Sequence, residues 1–223
     1  MHQTHDSNPA DDYAEQRADM VSSQLRRRGI HDQRVLDAIE RVPRHLFVPD
    51  QYRSQAYEDH PIPIAENQTI SQPFIIAVSL AALSLKGGES VLEVGTGSGY
   101  QTAVLARLAR MVYSVERYRT LAERAESLLA ELGFDNVRVV VGDGSHGLRD
   151  YAPFDAIVVS AAAPSVPKSL VEQLAEGGRL VIPIGPPHAQ ELQLVRKDEG
   201  RVWAEVLEGC RFVPLVGSEG YPS

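Results

Sequence analysis

The sequence predicts an α/β fold in which helices cover both faces of a mostly parallel β-sheet. From residue 73 onward, short apolar runs rich in β-branched residues alternate with segments of helical periodicity. A glycine-rich loop follows the first of these runs, and two further strand-like runs close the chain. Strands that alternate with helices are typical of parallel sheets buried on both faces.

Composition narrows the class of protein before any motif is considered. The chain has 223 residues, enough for one sizeable domain, and its net charge of -8 argues against a general nucleic-acid binder. Its single cysteine, Cys210, excludes an internal disulfide and suits a reducing compartment. The histidines show no metal-ligand spacing, so we predict no metal. Without a signal-peptide or membrane-length apolar segment, we expect a cytoplasmic protein with no nucleic-acid or membrane partner.

The N-terminal part predicts two helices and a long irregular segment. We expect residues 1–11 to form a disordered tail. Helical periodicity covers 13–28, where Gly29 ends it, and 32–42, which must end before Pro43. The segment 43–70 contains four prolines and few periodic runs, and ordered loops of this length are often functional.

No linker divides the remainder, so we predict a single domain over 12–223. Residues 12–72 would form a helical and loop extension, and 73–223 a core. The core pattern comprises helices over 73–86, 99–110, 118–132 and 168–175, and strands over 90–95, 111–116, 137–142, 154–161, 179–185, 191–197 and 201–209. The last two strands read as a hairpin-like pair.

The glycine loop "VLEVGTGSGYQTA" is the strongest local signal of ligand binding. A strand runs into Gly95-x-Gly97-x-Gly99, whose glycines allow a tight turn and close approach of a ligand. A dinucleotide fingerprint would place its third glycine at position 100, which is Tyr100 here. The spacing therefore favours a nucleoside ligand without a pyrophosphate, such as S-adenosylmethionine, whose carboxylate can bind helix N-terminal amides. A nucleotide-dependent oxidoreductase is the alternative that Tyr100 argues against.

Acidic residues follow the next two strands at the positions a nucleoside requires. Glu116 ends the second strand, 21 positions after Gly95, and is placed to accept hydrogen bonds from ribose hydroxyls. Asp143 can accept a hydrogen bond from an adenine amino group, while Gly144 leaves room for the adenine ring. The predicted cofactor-binding residues are Glu93, Gly95, Thr96, Gly97, Ser98, Gly99, Glu116, Asp143 and Gly144.

The stretch "ENQTISQPF" precedes the first core helix, and Pro73 occupies the first helical position. Ser71 or Gln72 is therefore expected to cap that helix. A helix over 73–86 is about 20 Å long, and the following strand runs back by about the same length. If the two pack antiparallel, Ser71 returns to the glycine loop and lies beside the cofactor.

The chain resembles the protein-L-isoaspartate (D-aspartate) O-methyltransferase family over roughly residues 17–215. The resemblance is carried by "RVPRHLFVP", "AYEDHPIPI", "QTISQP", "LEVGTGSGYQTAVLA", "VGDG", "PFDAIVVSAAAP", "GGRLVIPIG", "QELQLV" and "FVPL". Many methyltransferases share the glycine loop, whereas "TISQP" with "AYED" and "AAAP" is more specific. One departure bears on loop geometry: similar sequences often read "GYGQTISQP", where this chain has Ala65-Glu66-Asn67-Gln68.

The resemblance implies a Rossmann-like class I methyltransferase with a mostly parallel seven-stranded sheet. It implies transfer of a methyl group from S-adenosyl-L-methionine to the α-carboxyl of L-isoaspartyl residues in damaged proteins and peptides, with D-aspartyl residues as candidate further substrates. The ester would collapse to a succinimide and so begin repair. The family's active-site serine corresponds to Ser71, and we expect a monomer. The predicted substrate-binding residues are Thr69, Gln72, Tyr57 and Val213. A domain that binds S-adenosylmethionine without catalysis remains the third alternative.

Overall fold

The computed structural model describes residues 13–222, so the tail predicted over 1–11 lies outside the described residues. Its centre is a seven-stranded sheet, as predicted, and its strand order is β5-β4-β3-β6-β7-β8-β9. The strands are β3 (Ser90–Val94), β4 (Met111–Glu116), β5 (Val137–Val141), β6 (Phe154–Val159), β7 (Leu174–Ile184), β8 (Gln190–Asp198) and β9 (Arg201–Cys210). A separate pair, β1 (Ile62–Pro63) and β2 (Thr69–Ile70), is antiparallel.

The strand order locates the ligand-binding edge of the sheet. Strands β5, β4, β3, β6 and β7 are parallel, and β8 and β9 add an antiparallel hairpin. Because β3 lies between β4 and β6, the chain leaves it first to one side of the sheet and later returns on the other. Open α/β sheets bind ligands at such a switch point, beyond the carboxyl ends of the strands. The glycine loop follows β3 at this position.

The helices largely follow the predicted pattern and are α1 (Ala14–Asp19), α2 (Gln33–Arg41), α3 (Pro73–Leu83), α4 (Tyr100–Ala106), α5 (Arg119–Glu131) and α6 (Lys168–Gln173). Helix α1 continues through a π turn and a 3-10 turn to Gly29, whose φ of 95° ends it. Three predicted bounds are wrong by three residues or more. Helix α4 ends at Ala106, not at residue 110. Helix α3 stops at Leu83 because Ser84 adopts a left-handed φ of 49°. Strand β7 begins at Leu174, where a register shift opposite β6 absorbs the glycine pair predicted to precede it.

The irregular segment 43–70 contains short 3-10 turns and the unpredicted hairpin of β1 and β2. The hairpin loop carries Glu66 at φ 58° and Asn67 at φ 54°. Both lie in the left-handed region that glycine adopts most easily. The loop thus follows a glycine-compatible path at positions where this chain has no glycine.

The N-terminal helices share one hydrophobic core with the sheet. Met20 and Leu36 are fully buried and belong to the same contiguous cluster as Val91 and Val181 of the sheet. Residues of the extension therefore pack against the sheet rather than form a core of their own. This packing brings segment 43–70 to the carboxyl edge of the strands.

Candidate active site

A pocket at this edge brings the two sequence signals together. It is lined by Thr69 and Ser71 before α3, by the glycine loop from Gly95 to Ser98, and by Glu116. Residues 213–216 form another wall. The structure thus confirms the prediction from element lengths that Ser71 returns beside the glycine loop.

The glycine loop serves two different purposes. Gly95, Gly97 and Gly99 have φ values of 95°, 55° and 88°, all left-handed. A Cβ on Gly99 would lie 3.2 Å from the Cβ of Ala125, so this glycine permits close packing of α4 on α5, and it does not line the pocket. Gly97 does line the pocket, and the nearest atom to a Cβ there would be 3.8 Å away. The left-handed φ of Gly97, rather than crowding, therefore favours glycine at this position.

Glu116 is held in a fixed orientation at the end of β4. Its Oε2 accepts the Gly97 N–H at 2.9 Å, and its Oε1 accepts the Tyr118 N–H at 3.0 Å. The residue is only 5% exposed yet lines the pocket. Each carboxylate oxygen retains a second lone pair for a ligand hydroxyl.

Glu93 does not reach the pocket. Its carboxylate is fully buried behind the loop and accepts hydrogen bonds from Thr102 Oγ1 (2.5 Å), Ser114 Oγ (2.7 Å) and Gln101 Nε2 (3.0 Å). Burial outweighs these bonds and raises the pKa of Glu93 to about 7. Gln101 itself lines the pocket, so Glu93 can act on the site by orienting Gln101.

Asp143 and Gly144 behave differently from one another. Gly144 lines the pocket, and a Cβ there would lie 2.5 Å from Val94 Cγ1, so only glycine fits without rearrangement. The Asp143 carboxylate instead accepts from the backbone N–H and hydroxyl groups of Ser145 and Ser218. Partial burial opposes ionisation, but these bonds prevail and lower the pKa of Asp143 to about 2. Asp143 is not among the pocket residues, and its contact with adenine stays a prediction.

Ser71 does not cap α3, contrary to one reading of the sequence. Gln72 occupies the cap position but makes no side-chain cap bond. Asp59 supplies the cap from a distance: its carboxylate accepts the Phe74 N–H at 3.1 Å and Gln72 Nε2 at 2.7 Å. Within residues 13–222 the Ser71 hydroxyl makes no hydrogen bond, while its carbonyl accepts Arg44 Nη2 at 2.9 Å. The hydroxyl is therefore available to a substrate.

A second cavity adjoins the first at Thr69 and Ser71, which line both. Its other walls are Pro61, Gln72, Ile75 and residues 209–212. Of the predicted substrate residues, Thr69 and Gln72 line this cavity, and Val213 lines the first. Tyr57 lines neither: it is 5% exposed, and its hydroxyl contacts His45 Nδ1 at 2.7 Å and Arg17 Nη1 at 3.3 Å.

Two residues that support the site were missed by sequence reasoning. Asp59 caps α3, and the fully buried Arg44 holds the Ser71 carbonyl. Both occur in the quoted motifs, in "AYEDHPIPI" and "RVPRHLFVP". Their residue types alone gave no signal, because a surface ion pair is the ordinary reading of a loop Asp or Arg.

The fold and pocket together define a Rossmann-like class I methyltransferase that uses S-adenosylmethionine. Residues 15–220 match the model of the family "Protein-L-isoaspartate(D-aspartate) O-methyltransferase (PCMT)". The chain belongs to this family.

Similar proteins support the assignment along most of the chain. A protein-L-isoaspartate O-methyltransferase of Koribacter versatilis is 52% identical over 94% of each chain. One from Syntrophobacter fumaroxidans is 54% identical over 91% of this chain and 94% of its own. A solved protein-L-isoaspartate O-methyltransferase has a TM-score of 0.83 at 32% identity, covering 92% of this chain and 67% of that one. A putative Plasmodium falciparum relative, solved with S-adenosyl-L-homocysteine, has a TM-score of 0.78 at 29% identity, covering 88% and 96%.

Proposed function

We propose that Ser71 positions the isoaspartyl α-carboxylate for methylation in this enzyme. The chain is a protein-L-isoaspartate O-methyltransferase. Such an enzyme transfers a methyl group from S-adenosylmethionine to isoaspartyl residues and so initiates protein repair. One observation carries the proposal for Ser71. Its hydroxyl has no hydrogen-bond partner within residues 13–222, and the residue lines both the cofactor pocket and the second cavity.

The chemistry requires orientation more than acid–base catalysis. An α-carboxyl has a pKa of about 3.5, so the acceptor is already ionised at neutral pH and needs no general base. Proximity and alignment can lower such a barrier by roughly 7–11 kcal/mol. A neutral hydroxyl can orient a carboxylate by one hydrogen bond without strongly reducing its nucleophilicity. Ser71 suits this role, with Thr69 beside it in the same turn.

Different pocket residues bind different parts of the cofactor. S-adenosylmethionine supplies, when bound, a methyl group activated by a sulfonium. We assign the ribose to Glu116, whose carboxylate is fixed by two backbone N–H groups. Gly95, Thr96, Gly97 and Ser98 would surround the amino-acid end, and Gly144 leaves space for the adenine. Glu93 supports this wall through Gln101.

We extend the proposal to the organisation of the chain. Residues 12–72 form part of the substrate site of a single domain, supported by the core they share with the sheet and by Thr69 and Ser71 in both cavities. Within residues 13–222, no helix has the length and apolar character to cross a membrane. Isoaspartyl proteins and peptides are the partners, and we propose that the enzyme acts as a monomer in the cytoplasm.

Two matched peptides test the activity. They differ only in carrying isoaspartate or aspartate at one position, and each is incubated with methyl-labelled S-adenosylmethionine. Base-labile label should appear only on the isoaspartyl peptide. Equal labelling of both peptides, or of neither, would contradict the assignment and favour another methyltransferase or a non-catalytic binder.

The role of Ser71 is tested with the same peptide. Ser71→Ala should lower kcat by about tenfold, since one orienting hydrogen bond is lost, and leave the Kd of S-adenosylmethionine nearly unchanged. Ser127→Ala, on the exposed face of α5, is the matched control. A collapse of cofactor affinity with unchanged turnover of the bound complex would show that Ser71 is misplaced.

A further inference from the structure

We propose that Arg44 is a positioning residue that fixes the backbone of Ser71 from beneath the active site. Its Nη2 donates to the Ser71 carbonyl at 2.9 Å, and its Nε donates to the Ala56 carbonyl at 2.8 Å. One planar guanidinium thereby joins the motif that precedes the hairpin to the turn that carries the active-site serine. The inference rests on the proposed role of Ser71.

The surroundings of Arg44 are unusual for a charged residue. Its side chain is fully buried, and within residues 13–222 no carboxylate lies within ion-pair distance. Burial of a charge is costly, and here it outweighs the opposing effects of Tyr100, Tyr57 and Asp59 and lowers the pKa of the guanidinium. A cation at such a position is more expensive than an apolar side chain of the same volume. Its presence indicates that the two carbonyl contacts serve a purpose beyond filling space.

The aromatic ring of Tyr100 links Arg44 to the cofactor pocket. The guanidinium carbon lies 4.7 Å from the ring centroid, a cation–π contact, and Tyr100 also lines the pocket. Tyr100 packs edge-on against Phe47 at 5.8 Å. Arg44 therefore contacts both an aromatic side chain of the pocket wall and the Ser71 turn.

The geometry separates two functions within one turn. The Ser71 carbonyl accepts from Arg44, whereas its hydroxyl has no hydrogen-bond partner in the described chain. Asp59 holds the next residue, Gln72, and the first turn of α3. With both flanks anchored, Ser71 presents its hydroxyl from a fixed backbone, which is the condition for catalysis by orientation.

Arg44→Lys is the informative substitution because it keeps the charge but cannot bridge two carbonyls with one planar group. A displacement of about 1 Å can cost up to a hundredfold in rate, so kcat should fall roughly tenfold or more. The Kd of S-adenosylmethionine should change by less than about threefold, because the pocket lining is retained. Arg138→Lys is the matched control: its guanidinium lies 4.9 Å from the Tyr151 ring and lines neither cavity.

A double-mutant cycle shows whether Arg44 acts through Ser71. In a Ser71→Ala background, Arg44→Lys should lower kcat by less than about twofold further, since the positioned hydroxyl is already gone. If Arg44→Lys lowers kcat by the same factor in the Ser71→Ala background as in wild type, this inference is overturned and the proposed role of Ser71 is retained. A Ser71→Ala enzyme with normal kcat would overturn both. If the Arg44→Lys variant does not fold, Arg44→Gln replaces it in the double-mutant cycle. A glutamine at this position can still donate to one carbonyl and introduces no buried charge.

Discussion

The buried carboxylate of Glu93 should make the stability of this enzyme depend on pH in an unusual direction. Its pKa is raised from 4.5 to about 7 by burial. Between these two values the folded state binds a proton that the unfolded state has released. The free energy of unfolding must therefore fall as pH rises from about 4.5 to 7, and level off above. A carboxylate in a surface ion pair would contribute with the opposite sign.

The magnitude follows from the size of the shift. One pKa unit corresponds to about 1.36 kcal/mol, so a shift from 4.5 to about 7 amounts to roughly 3 kcal/mol across the window. Glu93→Gln removes the titration and keeps the volume. Of the three donors, the hydroxyls of Thr102 and Ser114 can rotate to meet an amide. The variant should therefore lose this contribution to the pH slope while remaining folded.

Urea unfolding of wild type and Glu93→Gln between pH 5 and 8 measures the difference directly. Subtracting the two curves cancels the histidines, which also titrate in this range. Glu89→Gln is the control. Backbone N–H groups of Lys86 and Gly87 donate to this carboxylate and lower its pKa. Its effect on the free energy of unfolding therefore falls at a pH below the measured range. Parallel curves for wild type and Glu93→Gln would refute the reasoning.

Two further predictions concern the walls of the pocket. Glu116→Ala should raise the Kd of S-adenosylmethionine by tenfold or more, as measured by titration calorimetry. The reason is that each hydrogen bond to a charged carboxylate contributes about 1.5–3 kcal/mol to binding. An unchanged Kd would count against the ribose assignment. Asn67→Gly should raise Tm by about 1–4 °C, because it relieves left-handed backbone strain of up to about 1 kcal/mol. Ala65→Gly is the control and should not raise Tm, because φ at Ala65 is not positive. Equal shifts in Tm for the two variants would exclude strain as the cause.

The departure at Ala65-Glu66-Asn67 illustrates how the structure changes an expectation. The sequence suggested a reshaped loop because glycines are absent there. The structure keeps left-handed dihedrals at Glu66 and Asn67, and Glu66 Oε1 accepts the Thr120 hydroxyl at 2.7 Å. A side-chain contact to α5 thus accompanies a backbone path that glycine would adopt without strain.

The sequence by itself determined the sheet, the helices and the glycine loop, since these depend on periodicity and on local turn chemistry. It also determined the spacing between Gly95 and Glu116, and that the turn before α3 returns to the pocket. These features involve residues close in sequence or elements of known length.

Only the tertiary structure decided which polar residues line the pocket. Glu93 and Glu116 are both acidic residues near strand ends, yet one is buried behind the loop and the other lines the pocket. Arg44 and Ser71 are 27 positions apart, and no local pattern predicts that a guanidinium reaches that carbonyl. Side-chain partners across such separations are set by how the elements pack, because each buried polar group must find its hydrogen bond in three dimensions.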